Sequence, residues 1–273
     1  MSEDRGTLSE LEAGMAPILG AFRPVLRIED GSGRLSLAGT AFLVRDANRV
    51  FAITAKHVLE GPEHKLLGIN ENGSVTWPRK YSALAPSAND LPDADVAWAM
   101  LERSEDILSA GTAIPFGLAA SAIDITPGAS YLAVGQPASR ARMVNAHQTL
   151  ASDVMMAFLE PATGETNSII GVDARVQFAF TYPADSRDRI SRGESVPAKA
   201  NGMSGGAIVV TGRVKRESQP SIMVPLVAGV LTHYYPKYFT FVATKIEHIW
   251  ATLGYGGQAA NPLYSRTTVQ AGA

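Results

Sequence analysis

The amino-acid sequence predicts an all-β protein in two halves. Short apolar, β-branched runs recur along the chain between clusters of turn-forming residues. Helical spacing is confined to the two ends, and a mixed stretch of charge, Ser, Gly and Pro divides the strands near the middle. At 273 residues the chain can bury a large core, as one large domain or two small ones. A hydrophobic content of 46% against 18% charged marks a folded protein. A net charge of −2 argues against a broad nucleic-acid-binding face. There is no cysteine, which excludes disulfides, thiolate metal sites and a cysteine nucleophile together.

The elements follow in order. Thr7-Leu8-Ser9-Glu10 has capping-box spacing, and Leu8, Leu11, Met15 and Leu19 predict one face of a helix within an arm over 1–22. From Pro24 to Thr54 the pattern is strand, with Arg45–Arg49 as a hairpin turn between Gly39–Val44 and Val50–Thr54. Short strands are expected at Lys65–Ile69, Val75–Trp77 and Val96–Leu101, with Tyr81–Pro92 reading as a loop. Glu102–Pro127 reads as the linker, so the halves are placed at 23–118 and 119–253. Strands resume at Tyr131–Val134, Thr149–Leu159 and Val172–Tyr182, and the polar Asp185–Glu194 reads as a loop. Ala207–Val210, Met223–Leu231 and Tyr238–Ala243 are further strands. Ile246, Ile249, Trp250 and Leu253 give a helix over Lys245–Leu253, and 254–273 reads as a loose tail.

Three segments carry chemistry. Gly202-Met203-Ser204-Gly205-Gly206 places a serine on a tight turn before an apolar strand. A serine hydroxyl needs a base beside it and donors for the oxyanion. Phe51-Ala52-Ile53-Thr54-Ala55-Lys56-His57 ends an apolar strand on a histidine, and Asp93-Ala94-Asp95-Val96-Ala97-Trp98 begins another after two acids. An imidazole can take the serine proton, and a carboxylate can fix its tautomer. The amides of Gly202, Met203 and Ser204 can converge on one spot, since glycine at 202 and 205 permits the turn. An α/β-hydrolase elbow would need a strand before the serine, a helix after it and the acid downstream, yet no aspartate follows Ser204.

At these residues the chain resembles the chymotrypsin-like (trypsin-fold) serine peptidases. Thr54-Ala55-Lys56-His57 resembles that family's Thr-Ala-x-His, Asp95-Val96-Ala97 its Asp-[Ile/Val]-Ala, and Gly202–Gly206 its Gly-x-Ser-Gly-Gly, in the same order. Tyr131–Gly135 resembles the start of the second barrel, and Val227–Leu231 the strand whose edge pairs with substrate. The resemblance runs from about residue 35 to residue 250. It implies two packed six-stranded Greek-key barrels with a C-terminal helix, and a serine endopeptidase with His57 as base, Asp95 as orienter and Ser204 as nucleophile. The Asp-Val-Ala context favours Asp95 over Asp93, whose other reading is a turn residue.

The chain also departs from that pattern. Digestive relatives carry an aspartate before the serine that pairs with a newly cut N-terminus, whereas here that residue is Met203. The oxyanion turn must then be preformed or set by substrate or a partner. A latent or non-catalytic binding module, active only with a partner and resembling effector or processing proteases of bacterial stress and defence systems, is the alternative. The family's pocket floor falls on Ala198, which has no counter-charge for a basic P1 residue. Lys199, Leu231, Thr232 and His233 complete the candidate pocket, with a surface or turn role as the other reading of His233. His64, His147 and His248 read as bystanders, and no His-x-x-x-His spacing points to a metal, so no cofactor is expected. The expected partners are a protein or peptide substrate and possible regulatory protein, not nucleic acid or membrane. No run approaches the roughly 18 apolar residues that cross a bilayer. The start, Met1-Ser2-Glu3-Asp4-Arg5, leads into no cleavable apolar segment, so a cytoplasmic setting is expected.

Overall fold

The computed structural model describes residues 13–16, 18–29, 31–61, 65–70, 73–101, 113–119, 130–143, 150–186, 200–216, 219–253 and 264–270. In chain order the strands are β1 (Phe22–Ile28), β2 (Leu35–Asp46), β3 (Arg49–Ala55), β4 (Lys65–Asn70), β5 (Gly73–Thr76), β6 (Lys80–Pro86), β7 (Val96–Met100), β8 (Ile114–Pro115) and β9 (Ser130–Gly135). They continue as β10 (Ala141–Met143), β11 (Leu150–Ser152), β12 (Met155–Pro161), β13 (Gln177–Thr181), β14 (Ala207–Arg216), β15 (Gln219–Tyr235), β16 (Thr240–Lys245) and β17 (Tyr264–Gln270). Among the described residues, short helices accompany them beside the N-terminal one: α1 (Lys56–Leu59), α2 (Gly164–Ile170) and α3 (Glu247–Thr252).

The protein is all-β, as expected. Its C-terminal half closes into a six-stranded barrel in the order β12-β13-β16-β15-β14-β9. Its N-terminal half is a nine-stranded sheet in the order β17-β6-β7-β3-β2-β1-β4-β5, with β8 beside β2. The count exceeds the expected six because β1–β7 already supply seven strands, to which β8 and, from far downstream, β17 are added. Residues 264–270, expected to be loose, pair in continuous antiparallel register with β6. β6 itself occupies a stretch whose Ser, Ala and Pro suggest a loop. Tyr81, Ser82, Ala83 and Leu84 are buried there, and Ser82 lies opposite Trp98, so small residues accommodate a large neighbour.

β3 is buried on both faces from Val50 to Ala55, which is why its sequence is a continuous apolar run rather than an alternating one. β2 and β3 form a hairpin whose last pair, Asp46 and Arg49, brackets Ala47-Asn48. The 149–159 run divides, β11 pairing with β10 and β12 entering the barrel. The 172–182 run is strand only from Gln177. Ahead of it lies α2, capped by the Thr163 hydroxyl on the Thr166 N–H and ended by Gly171 at φ 71°.

Of the N-terminal helix, 13–16 and 18–19 are described, with Met15 and Ile18 buried. Leu8, Leu11 and the capping box lie outside the described residues, as do most of the linker and 187–199. One core fills the N-terminal sheet and reaches the barrel through Leu132, Val134, Val209 and Val230. A second, with Tyr131, Phe180, Met203 and Phe241, fills the barrel. α3 follows the barrel in sequence but packs on the N-terminal side: Trp250 meets Phe51 and Phe116 edge-on and donates its indole N–H to the Ala119 carbonyl. Among the described residues, no helix is long and apolar enough to cross a membrane.

Candidate active site

β3 delivers His57. It ends at Ala55, and α1 turns immediately, anchored by the buried Val58 and Leu59. The His57 side chain stays 41% exposed, open to a ligand. Its backbone N–H donates to Asp95 Oδ1 at 2.9 Å, and its ring Nδ1 lies 2.6 Å from Asp95 Oδ2. A carboxylate can only accept, so Nδ1 carries the proton and Nε2 is left as the free base. The His57 pKa is raised, first by the hydrogen bond it donates to Asp95, with burial opposing and the charges of Asp95 and Glu60 adding to the rise.

Asp95 is aimed by its backbone. It sits at φ 48°, a left-handed angle uncommon for a residue with a side chain. The Lys56 N–H donates to its carbonyl at 2.9 Å. Asp93 holds the same turn: its Oδ1 accepts the Asp95 N–H at 3.0 Å, and its Oδ2 accepts from Lys56 Nζ at 3.1 Å. Of the two acids, Asp95 therefore meets the imidazole and Asp93 braces the turn.

The serine turn is tied to the strand that carries His57. Gly205 lies so close that a Cβ there would overlap the Thr40 carbonyl and the Thr54 hydroxyl. The Thr40 N–H donates to the Ser204 carbonyl at 2.8 Å. Among the described residues the Ser204 hydroxyl and the His57 ring are not hydrogen-bonded to each other; such contacts often tighten only when substrate binds.

Within the turn the amides sort themselves. The Met203 N–H donates to the Ala200 carbonyl at 2.9 Å, and the Gly205 N–H to the Leu231 carbonyl at 2.7 Å. Of the three amides expected to converge, that of Met203 is thus committed inside the turn. The N–H groups of Gly202 and Ser204 have no backbone acceptor among the described residues. Gly202 has φ 92°, which only glycine adopts readily. The Met203 side chain is 1% exposed and belongs to the barrel core.

Val227–Leu231 does not form a free edge. Val230 pairs with Ala207 on one side and Thr244 on the other, and Leu231 exchanges backbone bonds with Gly205 and Gly206. The open edge among the described residues lies beyond, over 232–235, of which 233–235 pair with β16 alone. The register slips between Leu231 and His233, leaving Thr232 as a bulge. Leu231 and Thr232 are buried, while His233 faces outward with its ring centroid 6.0 Å from that of His57. Tyr235 stacks on His233 at 6.4 Å. Ala198, the expected pocket floor, and its neighbour Lys199 lie outside the described residues. The sequence did not single out Thr40 or Tyr235, since neither belongs to a local motif, and it read Thr54 only as part of the segment leading to His57. No group of three His, Cys, Asp or Glu able to hold a metal occurs among the described residues.

The chain matches no protein-family model and no curated protein. Among solved structures it is similar to a thermostable serine protease, AL20, from an extremophilic microorganism, at 16% identity, TM-score 0.43, over 83% of this chain and 91% of that one. It is also similar to the tobacco vein mottling virus protease, at 10% identity, TM-score 0.47, over 89% and 85%.

Proposed function

We propose that the protein is a serine endopeptidase. The observation that carries the reading is the pair of hydrogen bonds from His57, ring and backbone, to Asp95, beside a serine turn whose Gly202 and Ser204 amides have no backbone acceptor among the described residues. His57 Nε2 takes the proton of the Ser204 hydroxyl as Oγ attacks the scissile carbonyl. The imidazolium that forms is stabilised by Asp95. The carbonyl oxygen becomes negative and moves toward the N–H groups of Gly202 and Ser204. His57 then protonates the leaving amine, and water, activated by the same imidazole, hydrolyses the acyl-enzyme.

The substrate is an extended peptide that adds a strand to the open edge at 232–235. Its side chains would pass His233 and the buried Leu231 and Thr232, with Ala198 and Lys199 as proposed further pocket residues. Nothing charged among the described pocket residues pairs with a basic P1 side chain, so an uncharged P1 fits better.

A second reading, a latent member awaiting a partner, draws on the absent Ser204–His57 hydrogen bond. A fluorophosphonate probe separates the two. Labelling of Ser204 in the isolated protein, lost in His57→Ala, supports the peptidase. Labelling only after a partner is added supports latency, and none under either condition sinks both.

A further inference from the structure

Thr40 lies on β2, outside the three segments that carry the catalytic candidates, and is 0% exposed. Its N–H donates to the Ser204 carbonyl at 2.8 Å. Its hydroxyl donates to the Gly202 carbonyl at 2.7 Å and accepts the Gln136 N–H at 2.8 Å. Its own carbonyl accepts the Thr54 hydroxyl at 2.7 Å, and Thr54 sits on β3, the strand that leads into His57. One residue therefore joins the nucleophile turn, the histidine strand and the end of β9. From this we propose that Thr40 is the positioning residue that holds the oxyanion-facing amides ready, in place of a charged N-terminus. The proposal rests on the peptidase reading above.

The reasoning follows the peptide planes, each rigid with its C=O opposed to its N–H. The plane joining Gly202 and Met203 is pinned at both ends, its C=O by the Thr40 hydroxyl and its N–H by the Ala200 carbonyl. The plane joining Ser204 and Gly205 is pinned likewise, by the Thr40 N–H and the Leu231 carbonyl. The two planes that carry the Gly202 and Ser204 N–H groups are held from their carbonyl sides only. Asn201 O accepts from Ala138 at 2.7 Å, and Met203 O accepts from Gly206 at 2.8 Å. Their N–H groups are thereby left facing away from the turn's own acceptors.

Gly202, at φ 92°, can rotate with little steric resistance, so the 202–203 plane needs an external restraint. The Thr40 hydroxyl is that restraint. Met203, buried and uncharged at the position where relatives use an aspartate, cannot supply it. Because every bond in the clasp is between neutral groups, it is set at any pH at which the fold persists.

The test compares wild type with Thr40→Val, which keeps the shape and removes both hydroxyl bonds, and Thr40→Ser, which keeps them. Thr40→Val is expected to lower kcat on a peptide substrate about 100-fold, the scale of losing an oxyanion donor, with KM within about threefold. The acid limb of its pH profile stays in place, because Asp95 and not Thr40 sets the His57 pKa. Thr40→Ser retains kcat within about fivefold, as its donor persists. A Thr40→Val enzyme within about twofold of wild type in kcat, or a serine variant as impaired as the valine, overturns the proposal. Should Thr40→Val not fold, Thr40→Cys replaces it: a weak donor should fall at least about tenfold below Thr40→Ser, and equal rates count against the clasp. Amide hydrogen exchange decides the matter independently of activity. Met203 and Gly205 should exchange about tenfold faster or more in the impaired variant, with β9 unchanged; unchanged rates at both overturn the clasp. A wild type that neither labels nor cleaves sinks the peptidase reading, and the exchange result still judges Thr40.

Discussion

Replacing Asp95 with asparagine separates ring orientation from folding. Asp95 Oδ1 accepts the His57 backbone N–H at 2.9 Å, and an asparagine carbonyl can keep that bond. Its NH2 then faces Nδ1, 2.6 Å from where Oδ2 was, and donates to it. The ring proton moves to Nε2, the atom that must accept from Ser204. The same exchange of acid for amide in a Ser-His-Asp site lowers kcat about 10⁴-fold, or about 5.4 kcal/mol at 1.36 kcal/mol per tenfold. The pH profile should change as well. Asp95 raises the His57 pKa, so the wild-type acid limb of kcat/KM lies above the ordinary imidazole value of about 6.5, and residual Asp95→Asn activity titrates lower. For stability, the raised pKa means the protonated His57–Asp95 pair contributes fully below the unfolded pKa, and its contribution fades as pH rises through the folded one. The charge-dependent part of the gap between wild type and variant is therefore widest at acid pH. The assay is kcat/KM against pH on a cleaved peptide, with thermal melts alongside. An asparagine variant within tenfold of wild type at neutral pH, or with an unmoved acid limb, refutes the assignment.

Gly205→Ala places a Cβ at φ 83° against the Thr40 carbonyl and Thr54 hydroxyl. It should cost about 3 kcal/mol or more by overpacking and backbone strain, read as a lower denaturation midpoint, and abolish Ser204 labelling. His233→Ala should alter the preferred side chain that packs beside His57, read by peptide-library profiling; an unchanged profile removes His233 from the pocket. Trp250→Ala empties a 2% exposed site between α3 and the N-terminal sheet and should cost about 3–5 kcal/mol in denaturant titrations.

The residues proposed for chemistry were legible because each lies in a short local pattern: a histidine ending an apolar strand, an acid beginning one, a serine between glycines. Even the choice between Asp93 and Asp95 could be made from neighbouring Val96 and Ala97, and the geometry gives Asp95 to the imidazole. What escaped the sequence was non-local. β6 looks like a loop because Ser82 and Ala83 carry little β propensity; their place is set by Trp98 across the pair and by β17 from far downstream. The free edge of β15 depends on where β14 stops pairing, which places it beyond Leu231. The commitment of the Met203 amide depends on turn conformation, and the hold of Thr40 on Gly202 spans 162 residues. α2 is the exception, since Thr163 and Gly171 bracket it with ordinary capping signals.

The central claim is acyl transfer to Ser204, and cleavage of a diverse peptide library tests it most directly. The wild-type protein alone is expected to cut at defined positions after uncharged residues, while Ser204→Ala, equally folded, leaves the library intact. Cleavage by Ser204→Ala equal to wild type, or no cleavage by wild type, contradicts the account.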